Sequence, residues 1–71
     1  MRDVEITEEP VELYKVLKFE GLVASGAQAK SVIEEGLVRV NGEIETRKRK
    51  KMLSGDIIEF ADERLRLQLK A

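Results

Sequence analysis

Residues 25–51 have the sequence SGAQAKSVIEEGLVRVNGEIETRKRKK, and this stretch contains the signals that decide the fold. Ser25 is a favourable N-cap for a helix, and Gln28, three residues later, completes a capping box. Gly36 ends that helix, because glycine readily adopts the left-handed conformation that follows a helix. The apolar period then changes to two, and Asn41-Gly42 predicts a type I′ hairpin turn, since both residues accept a positive φ. The stretch therefore predicts a helix, a strand, a tight turn and a returning strand.

The residues before this stretch predict another helix and an edge strand. Residues 11–20 carry apolar side chains at helical spacing, and Gly21 provides the helix end. Residues 7–10 suit the start of that helix, because acidic residues favour its positive end and proline is tolerated in its first turn. Residues 2–6 alternate weakly, which predicts a short edge strand.

The residues after this stretch predict two more strands. Residues 57–60 follow a turn signal, and residues 64–70 alternate cleanly, with their leucines expected inward: Leu65, Leu67 and Leu69. A chain of 71 residues is one small domain, so we expect a single domain over residues 1–71. The predicted fold class is α+β, a helical hairpin packed on a small, mostly antiparallel sheet.

Composition weakens the case for an enzyme. The chain has no cysteine and no histidine, which removes thiolate metal sites, disulfides, the commonest metal ligand and the commonest general base. Ser25 has no basic partner that could activate it as a nucleophile. We therefore expect a non-catalytic protein that needs no cofactor and no metal. No apolar run approaches 18 residues and no signal-peptide pattern follows Met1, so we expect a soluble, cytoplasmic protein that does not enter a membrane.

The net charge of −1 conceals a strong polarity along the chain. Residues 1–25 carry three basic and six acidic groups, whereas residues 26–51 carry seven basic and four acidic groups. A local patch matters more than the total, because salt screens charges beyond about 8 Å. The positive charge therefore coincides with the stretch that decides the fold.

The consecutive cations Arg47, Lys48, Arg49, Lys50 and Lys51 are the sharpest feature of the sequence. One interpretation is an edge strand protected from aggregation by its charges. The other is a surface that binds the phosphates of a nucleic acid, since edge protection needs only one or two such residues. If the run is an extended strand, its side chains alternate and about three of them face one RNA surface.

The start of the second helix is another candidate anion site. Its first N–H groups favour an anion, Gly26 permits close approach and Lys30 adds charge one turn later. The alternative is that Ser25 and Gln28 only cap the helix. Asn41 has a structural role in the turn and could also bind a nucleotide. The functional interpretation requires the helix start and the basic run to lie on the same side of the fold.

Aromatic stacking on single-stranded RNA is poorly supported. Only Tyr14, Phe19 and Phe60 are aromatic, and two of them fit core positions. Any recognised RNA is therefore expected to be structured and read by its backbone and shape.

Taken together, these signals resemble the alpha-L RNA-binding motif, the small domain named after ribosomal protein S-four. The resemblance covers about residues 11–60 and rests on the order LYKVLKFEGLVASGAQAKSVIEEGLVRVNGE followed by TRKRKKMLSGDIIEF. It implies structured RNA as the partner, either ribosomal RNA, transfer RNA or ribosomal particles. It nominates as RNA-binding residues Lys18, Ser25, Gln28, Lys30, Asn41, Arg47, Lys48, Arg49, Lys50 and Lys51. One departure is Gly26, because many members of the family carry arginine directly after the serine that opens the second helix.

Two functions from different classes remain open at this point. The first is a non-catalytic module that binds structured RNA through a helix N-terminus and a basic strand. The second is an adapter that uses the basic strand to dock an acidic protein in ribosome assembly or rescue. The shortage of stacking aromatic residues favours the second.

Overall fold

The computed structural model describes residues 1–70, and it confirms the predicted α+β fold. Two helices pack on a mixed, mostly antiparallel sheet. The elements in chain order are β1 (Arg2–Ile6), β2 (Val11–Glu12), α1 (Leu13–Phe19), α2 (Gly26–Glu34), β3 (Val38–Val40), β4 (Glu43–Ile44), β5 (Lys51–Met52), β6 (Ile57–Phe60) and β7 (Glu63–Leu69). None of the helices in this described part of the chain is long and apolar enough to cross a membrane.

The main sheet has five strands in the order β1-β7-β6-β3-β4. Strand β1 lies at the edge, as predicted, and pairs in parallel with β7, so that Val4 lies opposite Leu67. The other neighbours in this sheet pair antiparallel. This parallel pair connects the first strand of the chain to the last strand, and the side chains of Val4 and Leu67 are both buried in the core.

A second, two-stranded sheet has no counterpart among the sequence predictions. Strand β2 pairs antiparallel with β5, with Val11 opposite Met52 and Glu12 opposite Lys51. The prediction that α1 begins at residue 11 and that residues 7–10 form its start is therefore wrong. Glu12 has an extended backbone, and the helix begins only at Leu13. Pairing with a distant strand outweighs the local helical pattern here, because tertiary contacts routinely override helix propensity.

The predicted caps and turns are present. Gln28 donates its backbone N–H to Ser25 Oγ at 3.1 Å, and its side-chain Oε1 accepts from the N–H of Ala24 at 2.7 Å, one residue before the N-cap. Asn41 and Gly42 have φ values of 52° and 87°, as a type I′ turn requires. These signals depend on neighbouring residues only, which explains why the sequence predicts them.

The core lies between the helical hairpin and one face of the sheet. Its largest fully buried side chains are Leu13, Leu17, Ile33, Val38, Met52, Ile58, Leu65 and Leu67. The sequence predicts Leu69 inward as well, but its side chain is 42% exposed at the end of β7. Of the three aromatic residues, Tyr14 and Phe60 are half-buried against the core, whereas Phe19 is 68% exposed.

Replacing a core side chain should destabilise the domain severely. Ile33→Ala removes a fully buried side chain from α2 and leaves a cavity, so we expect a loss of about 2–5 kcal/mol in the free energy of unfolding. Urea denaturation measures this loss, and Leu37→Ala is the control because Leu37 is 55% exposed. Equal losses in the two variants would contradict the assignment of the core.

Candidate nucleic-acid interface

Residues 47–51, here called the basic loop, do not form the extended strand that the sequence suggests. The N–H of Lys50 donates to the carbonyl of Arg47 at 3.1 Å, which closes a turn, and only Lys51 belongs to a strand. The prediction of a basic strand with alternating side chains is therefore wrong. The side chains spread around a turn instead, and those of Arg47, Arg49, Lys50 and Lys51 border an open hollow.

The basic loop turns because its carbonyl groups cap helix α1. The N–H of Leu13 donates to the carbonyl of Lys50 at 3.0 Å, and the N–H of Tyr14 donates to the carbonyl of Lys48 at 3.1 Å. The first N–H groups of a helix have no partner within the helix, and Glu12 provides no side-chain cap. The loop takes the place of that cap, and its position relative to α1 is fixed as a result.

Tyr14 joins the basic loop to the second helix. Its half-buried ring has the ammonium of Lys30 at 4.7 Å from the centroid and the guanidinium of Arg49 at 5.8 Å. Lys15 Nζ lies at 6.0 Å from the same centroid. Cations within about 6 Å of an aromatic face are attracted by its quadrupole. Cations from separate segments of the chain therefore gather around one ring.

The start of α2 lies against the same ring. A Cβ atom placed on Gly26 would come 3.9 Å from Tyr14 Cε2 and 3.8 Å from Lys18 Cδ, which is ordinary contact. The start of α2 and the basic loop therefore meet around Tyr14, on the same side of the fold. We define the basic cluster as Lys15, Lys18, Lys30 and the basic loop. Ser25 and Gln28 border it but cap the helix with their own side chains, and their direct role in binding stays a prediction.

Asn41 is engaged elsewhere. Its Nδ2 donates to Asp56 Oδ1 at 3.1 Å, and its Oδ1 accepts from the N–H of Ile57 at 2.9 Å. The amide therefore ties the hairpin turn to the start of β6. A contact between Asn41 and RNA stays a prediction, and it would have to use the remaining donor and lone pair of that amide.

Three carboxylates hold the basic cluster together. Glu12 lies 3.3 Å from Lys15, 3.7 Å from Arg49 and 4.0 Å from Lys51. Burial alone would raise the pKa of the Glu12 carboxyl, but the hydrogen bond from Lys15 and the charges of the three cations hold it below its usual value. Glu34 pairs with Lys48 at 3.2 Å, and Glu45 pairs with Arg47. The cluster keeps an excess of positive charge, since its cations outnumber these carboxylates.

Glu45 binds Arg47 in a two-pronged pair. Arg47 donates from Nε at 2.9 Å and from Nη2 at 3.0 Å, and its backbone N–H donates to the same carboxylate at 2.9 Å. The side-chain hydrogen bond from Arg47 is the main cause that lowers the pKa of Glu45 from 4.5 to about 2. The Arg47 side chain is still 72% exposed, so its remaining N–H groups point to solvent.

Comparison with known proteins identifies the family. The sequence matches the S4 domain over residues 4–68, nearly the whole chain. The chain belongs to the S4 domain family. The resemblance to the alpha-L motif is thereby confirmed.

Two curated relatives are each 55% identical to this chain over 51 residues, which is 72% of this chain and 73% of the relative. One is YbcJ of Escherichia coli, whose name describes it provisionally as an RNA-binding protein. The other is the YbcJ protein of Shigella flexneri, which is named as uncharacterised. The solution structure of Escherichia coli YbcJ aligns with a TM-score of 0.73 at 43% identity, covering 96% of this chain and 87% of that one. Its description reports an alpha-L motif involved in RNA binding.

Sequence reasoning misses the organising role of Tyr14 and the charges of Lys15 and Glu12. The sequence places Tyr14 near the apolar face of a helix. In the structure its ring packs against the core and also contacts the cations of the basic cluster. One signal does exist: Tyr14 and Lys18 are spaced four apart, so on a helix they share a face. The contacts with Lys30 and Arg49 have no signature in the sequence, because they join segments that are distant in the chain.

The pair between Glu45 and Arg47 should make stability depend on pH in the acid range. Because the pKa of Glu45 is lower in the folded state, its contribution is fully present above about pH 4.5 and is lost as the pH falls towards about 2. We expect Glu45→Gln to be less stable than the parent protein at pH 6, with the difference disappearing near pH 2. Urea midpoints at both values measure this, and Glu43→Gln, in the exposed hairpin, is the control. A difference that stays constant with pH would contradict the pair.

Proposed function

We propose that this protein binds structured RNA without catalysing a reaction, using the start of α2 and the basic loop as one surface. One observation carries the proposal: the ring of Tyr14 has Lys30 of α2 at 4.7 Å and Arg49 of the basic loop at 5.8 Å. The two positive segments, which are separate in the sequence, therefore form a continuous patch. The names of the relatives and membership of the S4 domain family support the same function.

The surface suits the phosphate backbone of a folded RNA. Lys18 and Lys30 have no carboxylate within 4.0 Å in the described residues 1–70, so their charges are available to phosphates. The start of α2 adds the positive end of a helix, with Lys18 and Tyr14 lying against Gly26. Arg47, by contrast, presents only the part of its guanidinium that Glu45 does not hold. We infer that about three to five phosphates are neutralised, which positions a backbone but does not read a sequence.

Structured RNA fits this surface better than an unpaired strand. Lys30 and Arg49 already lie near the half-buried Tyr14 ring, so that ring is a poor platform for a base. Phe19 is exposed, but the ammonium of Lys18 lies 5.9 Å from its ring centroid and Glu8 and Glu20 border it, so this ring is also a poor platform for a base. We therefore propose ribosomal RNA, transfer RNA or the RNA of ribosomal particles as the partner, met in the cytoplasm. In this proposal residues 1–71 act as a single RNA-binding domain.

Salt dependence tests the number of phosphate contacts. For a hairpin fragment of ribosomal RNA, log affinity should fall with log salt at a slope of about −3 to −4.5. The double variant Lys30→Gln/Arg49→Gln removes one cation from each half of the patch, so we expect the slope to become shallower by about 2. The matched control is Arg64→Gln/Lys70→Gln, which removes the same charge from strand β7 and its end. Equal effects of the two double variants would refute a localised surface. A flat salt dependence for the parent protein would refute binding through phosphates.

The ring of Tyr14 should matter for binding because it positions the cations. Tyr14→Leu keeps an apolar side chain but removes the aromatic face, so we expect affinity for the same RNA to fall by about two- to thirty-fold, the equivalent of about 0.5–2 kcal/mol. Tyr14→Phe keeps the ring and should bind like the parent. The salt slope should be the same in all three proteins, because no charge is removed. A loss that is equal in the two variants would show that the hydroxyl, not the ring, matters.

A further inference from the structure

A groove on the other flank of α1 is not used by the basic cluster. It runs between β1, the segment that follows it and α1, with an apolar lining from Val4, Ile6, Val11, Val16 and Phe19. Its volume is about 150 Å³. An apolar cavity of roughly that size takes up a benzene molecule in another protein, so one large apolar side chain fits here.

Phe19 forms an exposed wall of this groove. Phe19 is the last residue of α1, and its side chain is 68% exposed. Burial of a side chain of this size stabilises a fold, and Phe19 contributes little of that stabilisation here. The other apolar lining residues are buried or half-buried and belong to the core or pack on it. The groove therefore joins the packed interior to an accessible aromatic side chain.

Carboxylates surround the groove. Glu5, Glu8 and Glu20 lie on its rim. Glu20 pairs with Arg2 at 3.6 Å, whereas within the described residues 1–70 neither Glu5 nor Glu8 has a cation within 4.0 Å. Residues 1–25 carry three basic and six acidic groups, an excess of negative charge. The ammonium of Lys18 lies 5.9 Å from the Phe19 centroid, so the cationic residues of a peptide are expected on the side of the rim formed by Glu5 and Glu8, whose carboxylates attract them.

We propose that this groove binds a basic peptide segment of a partner protein, which inserts one large apolar side chain beside Phe19. The apolar lining supplies the affinity, and the unpaired carboxylates select the flanking arginine or lysine residues. This inference does not depend on RNA binding, because the groove and the basic cluster use different residues. Together the two surfaces would let one small domain hold an RNA and a protein at once.

A designed peptide that carries only an apolar anchor and flanking cations tests the proposal. The probe has one leucine flanked on each side by two arginines. Titrated into isotopically labelled protein, it should shift the amide signals of Val4, Val11 and Phe19 in a saturable manner. A peptide with serine in place of the leucine should bind at least about ten-fold more weakly, given the transfer free energy of a leucine side chain. A third peptide that keeps the leucine but has glutamates in place of the arginines should not bind.

Variants locate the site. Phe19→Ser should weaken binding of the leucine peptide by about ten-fold relative to the parent. Glu8→Lys should also weaken binding relative to the parent, and this loss should grow as the salt concentration is lowered, because screening decreases. The matched controls lie on β4, at the opposite edge of the main sheet from β1: Ile44→Ser, an apolar side chain that is 56% exposed, and Glu43→Lys. Both controls should bind like the parent. Because Phe19 is mostly exposed, the variant should keep the signal dispersion of the folded parent.

Four outcomes would overturn the proposal. No shift at peptide concentrations up to about 1 mM would show that the groove has no affinity of this kind. If the serine peptide bound as tightly as the leucine peptide, charge attraction alone would account for binding and the apolar lining would play no part. Shifts confined to the basic loop would place the peptide elsewhere. Shifts of the groove signals on dilution of the protein alone would show that a second copy of this chain is the occupant.

Discussion

The hydrogen bonds from the N–H groups of Leu13 and Tyr14 to the carbonyls of Lys50 and Lys48 are the constraint on which the geometry of the basic cluster depends. They cap the first turn of α1, which has no side-chain cap of its own. The same two bonds bring a highly charged loop to the helix that carries Tyr14 and Lys18. The backbone holds this segment in place against the mutual repulsion of its charges, and four of its five side chains form ion pairs with carboxylates. The short pairing of Glu12 with Lys51 continues the same junction and explains why α1 begins where it does.

The basic cluster, which we propose as the RNA-binding surface, gathers like charges that oppose folding. Five adjacent cations repel one another, and Glu12, Glu34 and Glu45 each offset part of that repulsion. The cations of these pairs are exposed and screened by solvent, whereas the carboxylates of Glu12 and Glu45 are only 15% and 12% exposed, so the carboxylates fix the positions of the cations. The ring of Tyr14 also positions Lys30 and Arg49, and it does so without cancelling their charge. Within the described residues 1–70, three cations of the cluster have no carboxylate within 4.0 Å: Lys18 and Lys30 on the helices and Lys50 in the loop.

Helix α1 borders two surfaces, the basic cluster and the groove with carboxylates on its rim. On one flank Tyr14 and Lys18 face the start of α2, and on another Val16 and Phe19 line the acid-rimmed groove. Residues 1–25 supply the carboxylates of that rim, and residues 26–51 supply most cations of the basic cluster, to which residues 1–25 add Lys15 and Lys18. A net charge near zero is therefore compatible with a strongly positive binding surface, because screening makes each patch act locally.

The sequence by itself determined the local structure of this protein. The capping box at Ser25, the left-handed glycines after both helices and the Asn41-Gly42 turn are each set by neighbouring residues. Alternation also predicted the strands, and the order of these signals was enough to predict the fold and the family. Tertiary structure alone decided the rest: the parallel pairing of β1 with β7, the sheet of β2 and β5, and the conversion of the basic run from a strand to a turn. Each of these depends on hydrogen bonds between residues distant in the chain, and such bonds follow from packing and not from periodicity. The gathering of Lys30 and Arg49 around Tyr14 belongs to the same class, which is why the centre of the candidate site could not be predicted.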